Sequence, residues 1–424
     1  MQFLYFLQQA IIWLIKIFYL YQLVVSLFSF INLKEKPFVY NKKHKFIVIL
    51  PAHNEEAVIG NLINSLKEQD YPKELYDIQV IADNCTDNTE KIARELDVNV
   101  FVRNEKDPSK RTKGFALQTF LKTVLSDPEM DYDAFCVFDA DNIVDKNFLK
   151  TMNKHLCQGE EVVQGYRDIK NPTDNWISAG YAIFYWMMNR FYHLARYNAG
   201  LSPLINGTGF MVKFDAIRET GWDTKTLTED IEFSLKTIIK GKKLGWATDA
   251  ICYDEQPVDF KASWSQRSRW TIGHIQCLKE YTFSLAKAAN ENKTLMNFDG
   301  LLYMLGSIPM FLVSILLLLI NAVVYLTKGM TTNDFVINIL RFVVPTFFVP
   351  IIVATIIMII DKKPVKKMWT GLLMYPIFLG TWLLINFKCL FIQNASWEKI
   401  EHTRNVKIDD VKEKKGKLEN EKGT

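Results

Sequence analysis

Residues 138 to 142 read FDADN and close an apolar run, DYDAFCVFDADN, with two carboxylates, Asp139 and Asp141, one residue apart. Like charges at that spacing repel, and they become reasonable neighbours when a cation sits between them and a substrate; a bound metal is the usual one. The alternative is a polar turn that closes a strand, because Asp-Asn pairs are common turn formers. An all-oxygen pair suits Mg²⁺ or Mn²⁺, which one or two carboxylates hold while a substrate diphosphate completes the shell. These two residues alone leave both readings open.

The surrounding elements narrow the choice. KFIVIL predicts a buried strand over Phe46 to Leu50, stopped by Pro51, and Val58, Ile59, Leu62, Ile63 and Leu66 then recur at helical spacing. A second strand (Ile78 to Ala82), a helix from about Thr89 through Leu96, a third strand (VNVFVRN), a helix (KGFALQTFLKTVL) and a fourth strand (AFCVFDADN) follow. This alternation predicts an α/β domain with a mostly parallel sheet and helices on its faces. Ligands of such sheets sit beyond the carboxyl ends of the strands. PAHNEE, ADNCTDN and DADN all fall there, so Asp139 and Asp141 are expected in a ligand site that handles a metal. No GxxxxGK[ST] loop and no GxGxxG after the first strand is present, which argues against a P-loop nucleotidase or a dinucleotide dehydrogenase. A nucleotide diphosphate held mainly through metal remains open.

The chain has 424 residues, is 49% hydrophobic and carries a net charge of only +4, which fits neither a disordered chain nor a nucleic-acid binder. Its six cysteines are scattered without paired spacing, as in a reducing compartment. Apolar runs at 11–31, 301–326, 335–360 and 368–392 are long enough to cross a bilayer, the last interrupted by Pro376 and Gly380. The first run lacks the basic start and small-residue cleavage site of a signal peptide and is expected to be an anchor. Lys34, Lys36, Lys42, Lys43 and Lys45 after the first run and DKKPVKK at 361–367 place the region between on the cytoplasmic side. The last run either spans or bends back, and with it the side taken by the charged tail stays open. The expected divisions are an anchor (1–32), a catalytic domain (44–260), interfacial helices (261–300), a membrane region (301–393) and a tail (394–424).

The ordered set VILPAHNEE, VIADNCTDNT, FDADN, TED at 228–230 and QRSRW at 266–270 resembles the inverting family 2 glycosyltransferases. Among them the likeness is greatest to membrane-bound synthases of hyaluronan, cellulose, chitin oligomers and poly-N-acetylglucosamine, and it covers roughly residues 46 to 275. The resemblance implies a GT-A fold, a Rossmann-like sheet that binds a nucleotide sugar. It places Pro51, Ala52 and Glu55 in the first nucleotide-binding loop, Asp83 on the uracil edge, and Asp139 and Asp141 in the Asp-x-Asp metal motif, with Asp141 the direct ligand. Asp83 otherwise belongs to an Asx turn, the reading that suits Asn84 and Asp87. Lys113 is either the lysine that steadies the nucleotide or a solvated lysine before a helix.

An inverting transfer needs a base on the acceptor hydroxyl, and the resemblance gives that role to Asp230 beside the substrate-binding Glu229. First-turn acids of a helix are the competing reading, since acids favour helix N-termini. NGTGFMV at 206–212 is either a close approach of backbone to substrate or a plain turn. Gln266, Arg269 and Trp270 match Gln-x-x-Arg-Trp and share a helical face, with Arg269 able to reach diphosphate and Trp270 to stack on the acceptor sugar. Burial at a membrane-surface helix would explain Trp270 alone. YDEQP (253–257) and WEKIEHTR (397–404) match further family segments.

The expected enzyme is thus a metal-dependent hexosyltransferase of the plasma membrane. It takes a UDP-sugar, of glucose or N-acetylglucosamine, to a growing cell-surface saccharide, or alternatively passes one sugar to a membrane lipid. An inert nucleotide-sugar sensor is the third reading, and retention of both metal-motif aspartates, Asp230 and the Gln-x-x-Arg-Trp motif argues against it. Polymer export typically uses more membrane helices than four, so an accessory membrane subunit joins the bilayer and the two substrates among the expected partners.

Overall fold

A computed structural model describes residues 2–31, 42–328 and 332–392. Lys34, Lys36, the tail from 394 and WEKIEHTR lie outside the described residues. Eight strands form one sheet: β1 (Phe46–Ala52), β2 (Tyr76–Asp83), β3 (Asn99–Arg103), β4 (Ala134–Val137), β5 (Ile143–Val144), β6 (Val162–Ile169), β7 (Phe210–Lys213) and β8 (Gly245–Asp254). Their order is β3-β2-β1-β4-β7-β6-β8-β5.

The half predicted from alternation is parallel: β1 pairs with β2 and β4, and β2 with β3. Beyond β4 the sheet is mixed, because β7 runs antiparallel to both β4 and β6, and β5 antiparallel to β8. Apolar periodicity marks a strand but not its direction, so this half was not legible. Strand β1 also continues through Pro51 to Ala52. Its pairing with β4 ends at Ile49, so the missing proline N–H falls where one flank is already open.

The helices are α1 (Gln2–Leu27), α2 (Ile59–Lys67), α3 (Thr89–Glu95), α4 (Lys113–Ser126), α5 (Phe148–Cys157), α6 (Trp176–Met187), α7 (Ala195–Asn198), α8 (Glu229–Ile239), α9 (Phe260–Asn292), α10 (Leu295–Leu305), α11 (Ile308–Lys328), α12 (Thr332–Ile360) and α13 (Trp369–Cys389). The pleat of β1 sends Phe46, Val48 and Leu50 into a core shared with α2, α3 and α5. Ile47 and Ile49 enter the opposite core, with α4, α8 and α9. Both faces of the sheet are therefore covered, which is why β1 reads as an unbroken apolar run.

A third core joins Ile169 of β6 and the apolar face of α6 to Ala354, Ile357, Leu372 and Phe378 of α12 and α13. Small residues permit the approach: a Cβ on Gly371 would stand 2.3 Å from Ala179 Cβ, and one on Gly180 would stand 2.7 Å from the Phe378 ring. Arg267, which is 1% exposed, ties α9 to α13 through Thr381 Oγ1 at 2.8 Å and the Phe378 carbonyl at 3.2 Å. On the other flank Gln8 of α1 donates to Asn321 of α11 at 2.5 Å. Four described helices, at Gln2–Phe30, Ile308–Thr327, Val343–Ile360 and Val365–Cys389, are long and apolar enough to cross a membrane. The last is one unbroken helix that contains Pro376.

Candidate active site

A cleft of about 1120 Å³ runs from the carboxyl ends of β1, β2 and β4 to the ends of α1, α11 and α13. Every residue singled out in the sequence for a nucleotide, metal, base or acceptor role lines this cleft, from Pro51, Ala52, Glu55 and Asp83 at one end to Gln266, Arg269 and Trp270 at the other.

At the first end Asp83 closes β2 and accepts from Arg103 Nη1 at 2.7 Å. Burial raises its pKa, with Arg103 opposing. His53 Nδ1 lies 2.6 Å from the Asp83 carbonyl, which joins the β1 and β2 loops. Asn84 and Asp87 serve the loop itself. Asn84 sits at φ 52°, a conformation asparagine tolerates, and Asp87 accepts from the N–H and hydroxyl of Thr89 at 3.0 and 2.6 Å.

Asp139 and Asp141 follow β4 directly. Asp141 is 5% exposed; its Oδ2 accepts from the Glu255 N–H at 3.1 Å and its Oδ1 from Asn142 Nδ2 at 3.1 Å. Such bonds orient a carboxylate without exhausting its lone pairs. The Asp139 N–H donates to Thr208 Oγ1 at 3.0 Å, and its Oδ1 receives Lys113 Nζ at 2.5 Å. No cluster of three or more metal-ligating His, Cys, Asp or Glu side chains occurs among the described residues. Two oxygen donors with open space beside them fit a hard divalent cation that draws its remaining ligands from diphosphate and water.

Lys113, the first residue of α4, also donates to the Gly207 carbonyl and lies 3.8 Å from Glu229 Oε1. Burial alone would lower its pKa, but Asp139, Glu229 and Asp230 outweigh that and hold the ammonium charged. Glu229 and Asp230 open α8. Burial pushes the Glu229 carboxyl up to about 7, with Lys113 opposing and Asp230 adding repulsion. Asp230 is raised by burial too, against the Ile231 N–H, Lys113 and Arg167. Gly207, at φ 90°, faces it: a Cβ there would stand 3.6 Å from Asp230 Oδ2. The left-handed glycine lets the 206–209 loop come close to the carboxylate.

Gln266, Arg269 and Trp270 all lie on α9, and Trp270 packs edge-on against Tyr181 at 6.0 Å and beside Trp382 at 6.4 Å while still lining the cleft. Packing and access to a ligand therefore coexist at this indole.

Several residues of the cleft went unread in the sequence. Arg167 of β6 forms a buried ion pair with Asp254 of β8, donates to the Asn206 carbonyl at 2.7 Å and lies over the Tyr185 ring at 4.2 Å. Burial raises Asp254 to about 6, opposed by Arg167. Lys170, which does not itself line the cleft, has its pKa lowered by burial and donates to the Asp141 carbonyl. An arginine and a lysine within the apolar run VVQGYRDIK were the available signal. His193, Tyr192 and His274 also line the cleft.

The sequence profile described as glycosyl transferase family group 2 matches residues 134–360. A probable glycosyltransferase, YdaM, of Bacillus subtilis is 26% identical over 391 residues, 87% of this chain and 88% of that protein. A poly-beta-1,6-N-acetyl-D-glucosamine synthase of Staphylococcus epidermidis is 24% identical over 382 residues, 87% of this chain and 89% of its own length. A beta-monoglucosyldiacylglycerol synthase of Nostoc sp. is 28% identical over 270 residues, but the match spans only 54% of that protein. Among solved structures, a mannosyltransferase of Pyrobaculum calidifontis in complex with GDP-Man and Mn²⁺ superposes with a TM-score of 0.55 at 18% identity, covering 89% of this chain and 99% of that one. That likeness establishes the GT-A fold.

Proposed function

This chain belongs to the glycosyl transferase family group 2, and we propose that it transfers a hexose with inversion from a UDP-sugar to an acceptor hydroxyl at the membrane face. The observation that carries the reading is a single cleft in which the Asp139–Asp141 pair and Asp230 share Lys113 and whose far end opens among the membrane helices. Asp83 and the β1 loop hold the nucleoside. Asp141, with Asp139, holds Mg²⁺ or Mn²⁺, which when bound offsets the charge that develops on the departing diphosphate.

Asp230 takes the proton of the acceptor hydroxyl as that oxygen attacks the anomeric carbon from the face opposite the leaving UDP. Burial makes its carboxylate the stronger base, while the helix N-terminus, Lys113 and Arg167 keep it ionised. Arg269 contacts diphosphate and Trp270 carries the acceptor. Lys42, Lys43 and Lys45 beside the first span and the lysines at 362, 363, 366 and 367 favour a cytoplasmic catalytic domain in the plasma membrane. An extended saccharide is the first-ranked product, because the poly-N-acetylglucosamine synthase aligns along nearly its whole length. A glycolipid is the second, favoured by the glucosyldiacylglycerol synthase.

Incubation of purified protein with Mn²⁺ and labelled UDP-glucose, UDP-N-acetylglucosamine or GDP-mannose tests the donor. UDP release with one of the first two is expected. Turnover of GDP-mannose alone would refute the uridine assignment.

A further inference from the structure

The charges of DKKPVKK, at the turn between α12 and α13, do not all face outward. Lys362, Lys366 and Lys367 are exposed, as cations beside a membrane surface should be, but the side chains of Lys363 and Asp361 are only 11% and 14% exposed. Lys363 Nζ lies 3.2 and 3.1 Å from the two carboxylate oxygens of Asp168 on β6, over the rings of Trp186 at 4.6 Å and Tyr166 at 5.2 Å. Asp168 Oδ1 also accepts from Trp186 Nε1 at 2.8 Å. Asp361 Oδ1 receives Nε of Arg190 at 2.8 Å, and Arg190 belongs to a π-helical turn, Met188–Leu194, that follows α6. One turn between two candidate membrane spans is therefore ion-paired to the catalytic domain at two points.

The turn has a fixed shape. The Lys363 N–H donates to the Met358 carbonyl at 2.7 Å and the Lys362 N–H to the Ile359 carbonyl at 3.2 Å, the two bonds of a Schellman motif. Lys362 takes its left-handed position at φ 52°, where glycine is usual, and Pro364 follows. The backbone thus sets how far apart Asp361 and Lys363 stand.

What Asp168 holds in place is the end of β6. Two residues on, the Lys170 N–H donates to the Asp254 carbonyl at 2.8 Å, and its ammonium donates to the Asp141 carbonyl. Asn171 grips Gln256 with both ends of its amide, at 2.9 and 2.8 Å. Between Asp254 and Gln256 lies Glu255, whose N–H donates to Asp141 Oδ2. A buried ion pair adds little stability over an apolar pair of the same volume, whereas it does fix a distance. We propose that Lys363 is a positioning residue: paired with Asp168, it fixes the end of β6 and through it the Asp254–Gln256 segment and the Asp141 carboxylate, so that the turn between α12 and α13 sets the geometry of the metal motif. This rests on the glycosyl-transfer reading above, in which Asp141 holds the cation.

The test uses the full chain in detergent, with calorimetric titration of Mn²⁺ at saturating UDP and thermal unfolding on the same preparations. Lys363→Met strands the Asp168 carboxylate, so the double variant Lys363→Met with Asp168→Asn carries the test: its amide oxygen still accepts from Trp186, and the tie to the turn is gone. In the double variant the unfolding midpoint should return to near the parent's while the Mn²⁺ dissociation constant stays raised by about fivefold or more, less than the ~10–100-fold typical of groups bonded directly to a metal ligand. Lys363→Arg, which keeps the pair, should bind Mn²⁺ within about twofold of the parent. A double variant that binds Mn²⁺ within about twofold of the parent would overturn the proposal, because Lys363 would then only balance a charge. Weakened Mn²⁺ binding only in step with a lowered unfolding midpoint would overturn it as well, and so would a Lys363→Arg variant as weak as Lys363→Met. A parent protein that binds neither UDP nor Mn²⁺ overturns the glycosyl-transfer reading together with the proposal.

Discussion

Lys113 Nζ lies 2.5 Å from Asp139 Oδ1 and 3.8 Å from Glu229 Oε1, so one ammonium joins the Asp139–Asp141 pair after β4 to the carboxylates that open α8. Its removal should be felt on both. In Lys113→Met, Glu229 and Asp230 lose a neighbouring positive charge, their charged forms become less favourable, and their pKa values rise. The acid limb of the pH–rate profile should therefore move to higher pH, and UDP affinity should fall. A profile measured with saturating donor checks the sign; an unmoved limb would show Lys113 to be a bystander.

Glu229→Gln should leave that limb in place. Burial pushes Glu229 up to about 7 and the Asp230 charge adds to the rise, so Glu229 takes up its proton first as pH falls and its neutral isostere changes Asp230 little. The expected result is an acid limb within about half a unit of the parent's, read from rates across about two pH units either side of the Glu229 value; a limb moved by about a full unit or more would show that the charged form of Glu229 controls the rate.

Legible in the sequence were groups in short ordered motifs at strand ends, such as Asp83, Asp139 and Asp141, which the fold gathers along one cleft, and the parallel half of the sheet that carries them. Residues that act through packing stayed hidden. Arg167 looks like one charge in a strand until β8 brings Asp254 against it, and His274 looks like any helix residue until Tyr303 and the cleft close around it. In QRSRW the arginine that pins the helix to α13 is Arg267, while Arg269 faces the cleft; side-chain type does not tell them apart, and helix facing does.

Asp141→Asn should leave the fold intact, because the amide is isosteric and its oxygen can still accept from the Glu255 N–H. Half-saturation by Mn²⁺ should rise by at least about tenfold, the value of one lost charged ligand interaction at the low end of charge-assisted bonding. A manganese titration of UDP release reads this directly, and an unchanged midpoint would remove Asp141 from the metal site.

The Arg167–Asp254 pair makes a structural prediction. Arg167→Met strands a buried carboxylate, a change that typically costs about 3–5 kcal/mol. Thermal unfolding should fall steeply, and the double variant Arg167→Met with Asp254→Leu should recover much of the loss. No recovery would mean that the arginine acts through Asn206 and Tyr185 instead.

The most direct test of an inverting, base-assisted transfer is Asp230→Asn, assayed for hexose transfer and, on the same preparation, for UDP binding by calorimetry with Mn²⁺. The base acts on the acceptor and not on the nucleotide, so transfer should drop by about 10²–10⁴-fold, the usual worth of a general base, while the UDP dissociation constant stays within about twofold. Near-parental transfer, or a collapse of UDP affinity alongside it, would contradict the assignment of Asp230 as the base.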